Sequence, residues 1–218
     1  MKIKVKAAKI ECASFDLAGL VSISFGKDIF IRSVTIVKGK EGALFVSFPS
    51  MKVGDSYKEI CNPINKEFRQ KLTEAIMESY HKGEAVEFDD GKGAELTVSA
   101  YPCAGYGKKV GEAKLYINNN FVVSNISIYE MNNGKIYPAM PSYKTLEFKP
   151  SGQPIYEEFC SVRKGIANIL RQVIVDEYTK SRKEYEAERF SIKGKLSEGK
   201  EKASGQEKRT KKQNELEK

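Results

Sequence analysis

The sequence predicts an α+β fold of two repeated modules. Each is a small antiparallel β-sheet followed by one α-helix, and the two pack as an intramolecular pseudo-dimer ahead of a disordered basic C-terminal tail. Three observations lead there. The first is internal similarity. Leu20–Ser50 aligns without a gap on Glu112–Ser142 at an offset of 92 residues, so that Ile31 faces Val123, Val34 faces Ile126 and Gly42 faces Gly134. Both segments end alike, in Phe48-Pro49-Ser50 and Met140-Pro141-Ser142. The offset then widens to 98–99, where Tyr57, Glu59, Cys61, Leu72, Ile76, Tyr80 and Lys82 return as Tyr156, Glu158, Cys160, Leu170, Ile174, Tyr178 and Lys180. The second observation is a change of apolar period within each copy, from two to between three and four. The third is a charged stretch at the end in which that period fades.

The elements follow in order. Ile3, Val5 and Ala7 alternate with lysines, as a half-buried strand requires. Leu17 to Gly19 suggests a turn, and Val21, Ile23 and Phe25 alternate with serines. Gly26-Lys27-Asp28 is a hairpin signal before the β-branched run Ile29–Val37. Ala43–Phe48 is the last strand, stopped by Pro49. A polar loop, Lys52–Ser56, precedes a helix whose apolar stripe is Phe68, Leu72, Ala75, Ile76 and Tyr80. Pro63 suits its first turn, and Asn62 or Asn65 its cap. The second copy reads as strands over Leu96–Tyr101, Ala113–Ile117, Phe121–Tyr129 and Lys135–Ala139. Its helix carries Val162, Ile166, Ile169, Leu170, Val173, Ile174 and Tyr178 behind a Ser161 cap.

The organisation is therefore copy one over 1–82, an acidic flexible linker over 83–94, copy two over 95–180, and a charged helical extension and disordered tail over 181–218. Glu84, Glu87, Asp89 and Asp90 among Gly83, Gly91 and Gly93 argue for the linker. Helix is expected to about Arg189. Copies that pair in one chain would be related by an approximate two-fold axis.

Composition narrows the function classes. The chain has 218 residues and a formal charge of +8, but residues 180–218 hold 13 Lys and Arg against 8 Asp and Glu. The part that folds is thus nearly neutral, and its pI says little about nucleic acid. No apolar run reaches the roughly 18 residues of a membrane span. The first residues lack the apolar core of a signal peptide, so a cytoplasmic protein without membrane contact is expected. Cys12, Cys61, Cys103 and Cys160 show no CxxC spacing and read as small buried hydrophobes. His81 is the single histidine. No nucleophile elbow, phosphate loop or paired metal ligands occur, so no enzyme, cofactor or metal is expected. Tyr57 and Tyr156, like Tyr80 and Tyr178, are expected in the core.

Ala43-Leu44-Phe45-Val46-Ser47-Phe48-Pro49-Ser50, a short polar loop, Asn62-Pro63-Ile64-Asn65, Arg69, Lys71 and Tyr80-His81 together resemble the SpoVG family (stage V sporulation protein G). The family pattern runs an apolar strand into Pro-Ser. It then has a His-Pro-Ile-Asn helix entry, with Arg and Lys in the first helical turns. Here Asn62 stands where that His sits. The resemblance covers about Leu20–Lys82. The second copy keeps Pro141-Ser142, has a longer loop over Tyr143–Ile155, and enters its helix through Ser161-Val162-Arg163. The resemblance implies a dimer formed through strands, made here within one chain, with higher oligomers as a further expectation. It also implies a regulator of septation or sporulation that binds DNA, with RNA as a further ligand.

The residues that fit this chemistry lie near helix starts, where a positive dipole end and backbone N–H groups suit phosphate. They are Lys66, Arg69 and Lys71 in the first copy and Arg163, Lys164 and Arg171 in the second. Lys52, Lys58 and Lys144 in the adjacent loops would widen the patch. The same residues would also serve as a solvated helix face, and Glu67 and Glu74 dilute the charge. The cluster Lys208-Arg209-Thr210-Lys211-Lys212 would add nonspecific phosphate contacts or only solubility. The alternative function is a protein-interaction scaffold whose second copy has lost nucleic-acid binding.

Overall fold

The computed structural model describes residues 1–10, 16–103 and 107–189. Cys12, the tail beyond residue 189 and the Lys208–Lys212 cluster lie outside the described residues. Four strands open the chain: β1 (Lys2–Lys9), β2 (Leu17–Phe25), β3 (Ile29–Lys38) and β4 (Leu44–Ser47). A small hairpin follows, β5 (Ser50–Val53) and β6 (Ser56–Glu59), then β7 (Cys61–Pro63), helix α1 (Lys66–Lys82) and β8 (Val86–Asp89). The second half runs β9 (Leu96–Pro102), β10 (Lys109–Ile117), β11 (Phe121–Glu130), β12 (Ile136–Ala139), the hairpin β13 (Ser142–Phe148) and β14 (Pro154–Glu158), and β15 (Cys160–Val162). Helix α2 then occupies residues 164–189. The chain divides into two units. Met1–Tyr178 holds every sheet. Thr179–Lys218 is described over helical residues only, where Arg182 Nε donates to Glu186 Oε1 at 3.1 Å.

Each large sheet borrows a strand from the other half. The first has the order β15-β3-β2-β1-β8, with β4 also on β3; the second has β12-β11-β10-β9, with β7 also on β11. The borrowing is reciprocal and in equivalent register. Cys61 of β7 pairs with Val123, and Cys160 of β15 pairs with Ile31, the residue 92 positions before Val123. Backbone bonds repeat the pattern: Ser124 N donates to Ile60 O at 2.6 Å, and Arg32 N to Phe159 O at 2.8 Å. The bulges recur too. Each of β3 and β11 spends one extra residue against its neighbour, with Ser33 at φ 61 and Asn125 at φ 59. A bulge re-aims the strand and lets it reach the borrowed partner without losing its inward face.

Period-two burial places Ile3, Val5, Val21, Ile23, Ile31, Val34 and Ile36 inside from the first half, and Leu115, Ile117, Val123, Ile126 and Ile128 from the second. They form one continuous core. Phe121 is its hinge point, 5.0 Å from the Phe25 ring and 6.4 Å from Phe48. Burying such side chains is worth about 1.5–3 kcal/mol each, so neither half keeps its full stabilisation alone.

Helix α1 is closed at both ends. Asn65 Oδ1 accepts from the amides of Glu67 and Phe68, at 2.9 and 3.2 Å. Gly83 ends it at φ 73, its N–H donating to Ser79 O. Phe68, Leu72, Ala75 and Ile76 face the core. Ser79 Oγ is buried beside them; it accepts from Ala7 N at 3.0 Å and donates to Glu84 O at 2.6 Å.

Several expectations need correction. The segment 83–94 is not a free linker: β8 pairs with β1 from Lys2↔Asp89 to Val5↔Val86. Its Val86 and Phe88 alternate with Glu87 and Asp89, a strand pattern hidden by the acidic and glycine-rich setting. Lys52–Ser56 belongs to the β5–β6 hairpin, and Tyr143–Ile155 to the β13–β14 hairpin, not to loops. Leu17 begins β2 and is not in a turn. Pro63 ends β7, where a residue without an N–H suits a short edge, and Asn65 caps α1. Ser161 lies in β15 paired with Phe30, so it does not cap α2.

Candidate nucleic-acid interface

The helix-entry residues separate into engaged and open groups. Arg69 is engaged. Its guanidinium makes a fork to Glu59 of β6, Nη1 to Oε1 at 3.2 Å and Nη2 to Oε2 at 2.6 Å. Nη2 also donates to Pro63 O at 3.0 Å, and the group lies 5.1 Å from the Phe48 ring centroid. This ties hairpin, strand and helix together and neutralises the charge. Lys71 is engaged as well: Nζ donates to Asp89 O at 2.8 Å and sits 5.0 Å from the Phe88 ring centroid. The Asn65 cap occupies two amides of the α1 entry, which leaves less there for a phosphate than the helix start suggested. Lys66 is exposed, without an ion pair or hydrogen bond among the described residues.

In the second half Arg163 N donates to Asp28 O at 2.7 Å, while its side chain is 3.9 Å from the Asp28 carboxylate. Lys164 is exposed and has no ionic partner among the described residues. Arg171 lies 5.9 Å from the Tyr137 ring centroid and 3.5 Å from Asn168 Oδ1.

The hairpins present the most open chemistry. Lys52 stands directly across from Tyr57 on β5–β6, and Lys144 directly across from Tyr156 on β13–β14. Cross-strand partners share one face of a ribbon. Each hairpin therefore shows a cation and an aromatic ring side by side, at matching places in the two halves. Tyr57 is 72% exposed and Tyr156 61%, so neither is the core residue expected from its recurrence; Tyr178 is buried and Tyr80 packs against the core. The signal for the difference was position. Tyr80 and Tyr178 sit on an apolar helical stripe, whereas Tyr57 and Tyr156 sit among polar residues. Lys58 is exposed on the opposite face of its hairpin, across from Met51. Lys144 Nζ is also 5.3 Å from the Phe148 ring centroid.

Other chemistry is sparse. Cys61 and Cys160 are free and buried, and Cys103 is free and half-buried. Desolvation raises the Cys61 thiol pKa, and desolvation with the nearby Glu158 charge pushes Cys160 up to about 12. A thiol held protonated in this way is a poor nucleophile. No group of three metal-ligating side chains occurs among the described residues. His81 is exposed at the end of α1, its ring 5.5 Å from that of Tyr80. No described helix is long and apolar enough to cross a membrane.

Comparison with known proteins bears on the first half. The family model described as SpoVG matches residues 1–82. A protein of Clostridium beijerinckii named "Putative septation protein SpoVG" is 36% identical over 76 residues, 34% of this chain and 82% of that protein. The protein of the same name from Clostridioides difficile is 38% identical over 64 residues, 29% of this chain and 68% of the relative. That of Lachnospira eligens is 35% identical over 72 residues, 33% of this chain and 81% of the relative.

Proposed function

The chain belongs to the SpoVG family, and we propose that it is a nucleic-acid-binding regulator of septation in which two SpoVG-like copies form a dimer within one chain. The single observation behind the binding surface is the recurrence of an exposed Lys–Tyr pair on both hairpins, Lys52 with Tyr57 and Lys144 with Tyr156. Lysine supplies the phosphate contact and tyrosine a flat face for an unpaired base, each stacked base being worth about 1–3 kcal/mol. Lys66 and Lys164 at the helix starts extend the cationic surface, with Lys58 on the reverse of the first hairpin. Arg69 and Lys71 instead hold the hairpin and β8 on α1, and Arg163 and Arg171 are secondary contacts. The mechanism is occupancy of a DNA or RNA site, with no covalent step and no cofactor. The reciprocal lending of β7 and β15 supports the dimer-in-one-chain reading, with copies over 1–82 and 95–180.

The test replaces Lys52, Tyr57, Lys144 and Tyr156 by Ala together and measures binding of single-stranded and duplex oligonucleotides by fluorescence anisotropy. All four side chains lie on exposed hairpins, so the melting temperature is expected to hold while affinity falls at least tenfold, about 1.4 kcal/mol. Unchanged affinity in a folded variant refutes the surface.

A second reading rests on α2. Ile169 is 65% exposed and Val173 44% exposed on one helical face. An apolar face of this kind favours a protein partner on the second half, as a scaffold would need. Ile169→Ser with Val173→Ser would then abolish partner capture and leave oligonucleotide binding intact, the reverse of the hairpin variant.

A further inference from the structure

The second half contains a cavity of about 260 Å³ between β12, the β13–β14 hairpin and the first turns of α2. The first half reveals what such a place is shaped to hold. At the corresponding residues there lies the Arg69 guanidinium, forked onto Glu59, bonded to Pro63 O and 5.1 Å from the Phe48 ring centroid. The offset of 99 carries Glu59 to Glu158 and Pro63 to Val162; the offset of 92 carries Phe48 to Met140; the offset of 98 that relates Leu72 to Leu170 carries Arg69 to Ala167. Glu158, Val162, Met140 and Ala167 all line the cavity. The carboxylate has been kept and its guanidinium removed. Among the described residues Glu158 has no ion pair or side-chain hydrogen bond.

Two further features decide what would replace the missing group. Arg171 lines the same cavity, held toward the Tyr137 ring, so one cation is already present. A second full cation, such as a partner's arginine, would oppose it. Tyr156 and Tyr137 supply flat apolar surface at the cavity. The fitting ligand is neutral, planar, and presents two parallel N–H donors like those of a guanidinium fork. The Watson–Crick edge of guanine does this through N1–H and N2–H, and its O6 and N7 accept from an arginine. Adenine and the pyrimidines lack the paired donors. That edge is free only in an unpaired nucleotide, which is how single-stranded segments are usually read.

We propose that this cavity is a guanine-binding pocket: Glu158 accepts from N1–H and N2–H, Arg171 donates to O6 or N7, and Tyr156 flanks the base. The pocket shares Tyr156 with the Lys144–Tyr156 pair, so an unpaired strand crossing that hairpin delivers a base to it. The proposal rests on the nucleic-acid reading above and gives it a sequence preference located in the second half only, because Arg69 engages the corresponding carboxylate, Glu59, in the first.

The full chain is titrated by anisotropy with a labelled oligothymidylate bearing one central deoxyguanosine, and with the same strand bearing deoxyinosine or deoxyadenosine. GMP and IMP are titrated separately by calorimetry. The guanine strand is expected to bind on the order of tenfold tighter than the adenine strand, which lacks both donors, and about threefold tighter than the inosine strand, which keeps N1–H and loses only N2–H. Glu158→Gln and Ala167→Arg should each erase that preference and leave oligothymidylate binding unchanged. Ala167→Arg supplies the guanidinium that the first half sets against Glu59, with Arg171 standing where the first half has Thr73, and Glu158→Gln keeps the side-chain volume. Equal binding of all strands overturns the pocket while the nucleic-acid reading stands. If no strand binds yet GMP binds in preference to IMP and is blocked in Ala167→Arg, the pocket stands and the hairpin surface falls. If neither strands nor GMP bind, both fall.

Discussion

Arg69 is where structure and charge count disagree most, and its substitution has a calculable outcome. Arg69→Ala removes the fork to Glu59, the bond to Pro63 O and the stack on Phe48. The pair is not deeply buried, with side-chain exposures of 39% for Arg69 and 38% for Glu59, so its ionic part must be discounted for solvent screening. An exposed pair contributes roughly 0.2–1 kcal/mol and an exposed cation–π contact about 0.5–1 kcal/mol. The bond to a backbone carbonyl adds about 0.5–1.5 kcal/mol. These contributions overlap, so the expected loss of stability is below their sum, at about 1–2 kcal/mol. Urea unfolding of Arg69→Ala, Glu59→Gln and the double variant separates the parts. The midpoint should fall in each single variant, and the double variant should be less destabilised than the two singles added. Arg69→Glu should be worse than Arg69→Ala, because it sets two carboxylates face to face. Weaker nucleic-acid binding by Arg69→Glu would thus report a damaged hairpin as readily as a lost contact. The reasoning is refuted if Arg69→Ala leaves stability within about 0.3 kcal/mol of the parent, or if the two singles add without coupling.

Three other perturbations follow from the same geometry. A Cβ on Gly111 would meet Tyr178 Cε2 at 2.5 Å and Tyr101 O at 2.8 Å, so Gly111→Ala should cost about 1–3 kcal/mol in chemical denaturation. Gly19→Ala, with Ala8 O at 2.9 Å and Tyr80 at 3.1 Å, should cost less. Cys61 and Cys160, buried with raised pKa values, should resist DTNB at mildly alkaline pH and react once denaturant is added; fast labelling of either in the native protein contradicts their burial. Glu112 is held below the ordinary carboxylate range, first by its hydrogen bond from Lys109 at 2.6 Å and also by that from Tyr101 at 3.1 Å. Its folded pKa is depressed, so its contribution is present above the unfolded value near 4.5 and is lost as pH falls through the folded pKa. Melting curves of Glu112→Gln and the parent should differ at neutral pH and converge in acid; a constant gap refutes the linkage.

Much of the fold was legible because its information is local or repeated. Period-two burial from Ile3 to Ala7 and from Val21 to Phe25 needs only alternation, and the α1 stripe from Phe68 to Ile76 needs only helical spacing. The repeat offset relates the two lent strands, since Cys61 and Cys160 correspond, but the lending itself is not written in the offset. What failed depended on partners distant in sequence. Val86–Asp89 became a strand because β1 had a free edge 80-odd residues earlier, which composition read as a linker. Arg69 looked like a phosphate ligand because Glu59 lies across a hairpin and strand, where no helical spacing rule pairs them. The cavity at Ala167 could be found only by asking what the other half puts there. Tyr57 and Tyr156 were misplaced by treating recurrence as burial, although their neighbours on the hairpins are polar.

The central claim is that nucleic-acid recognition lies on the two hairpins and helix starts of residues 1–189. The most direct measurement is a salt series of oligonucleotide binding by the full chain, by a chain ending at residue 189, and by the Lys52, Tyr57, Lys144 and Tyr156 quadruple alanine variant. Contacts from Lys52, Lys144, Lys66 and Lys164 predict a slope of log affinity against log salt of about −3 to −4, and the same slope in the shortened chain. Loss of Lys52 and Lys144 should reduce it by about 1.4–1.8. Binding that disappears in the shortened chain assigns the affinity to residues beyond 189, and binding unchanged in the quadruple variant removes the hairpins from the site; either result contradicts the account.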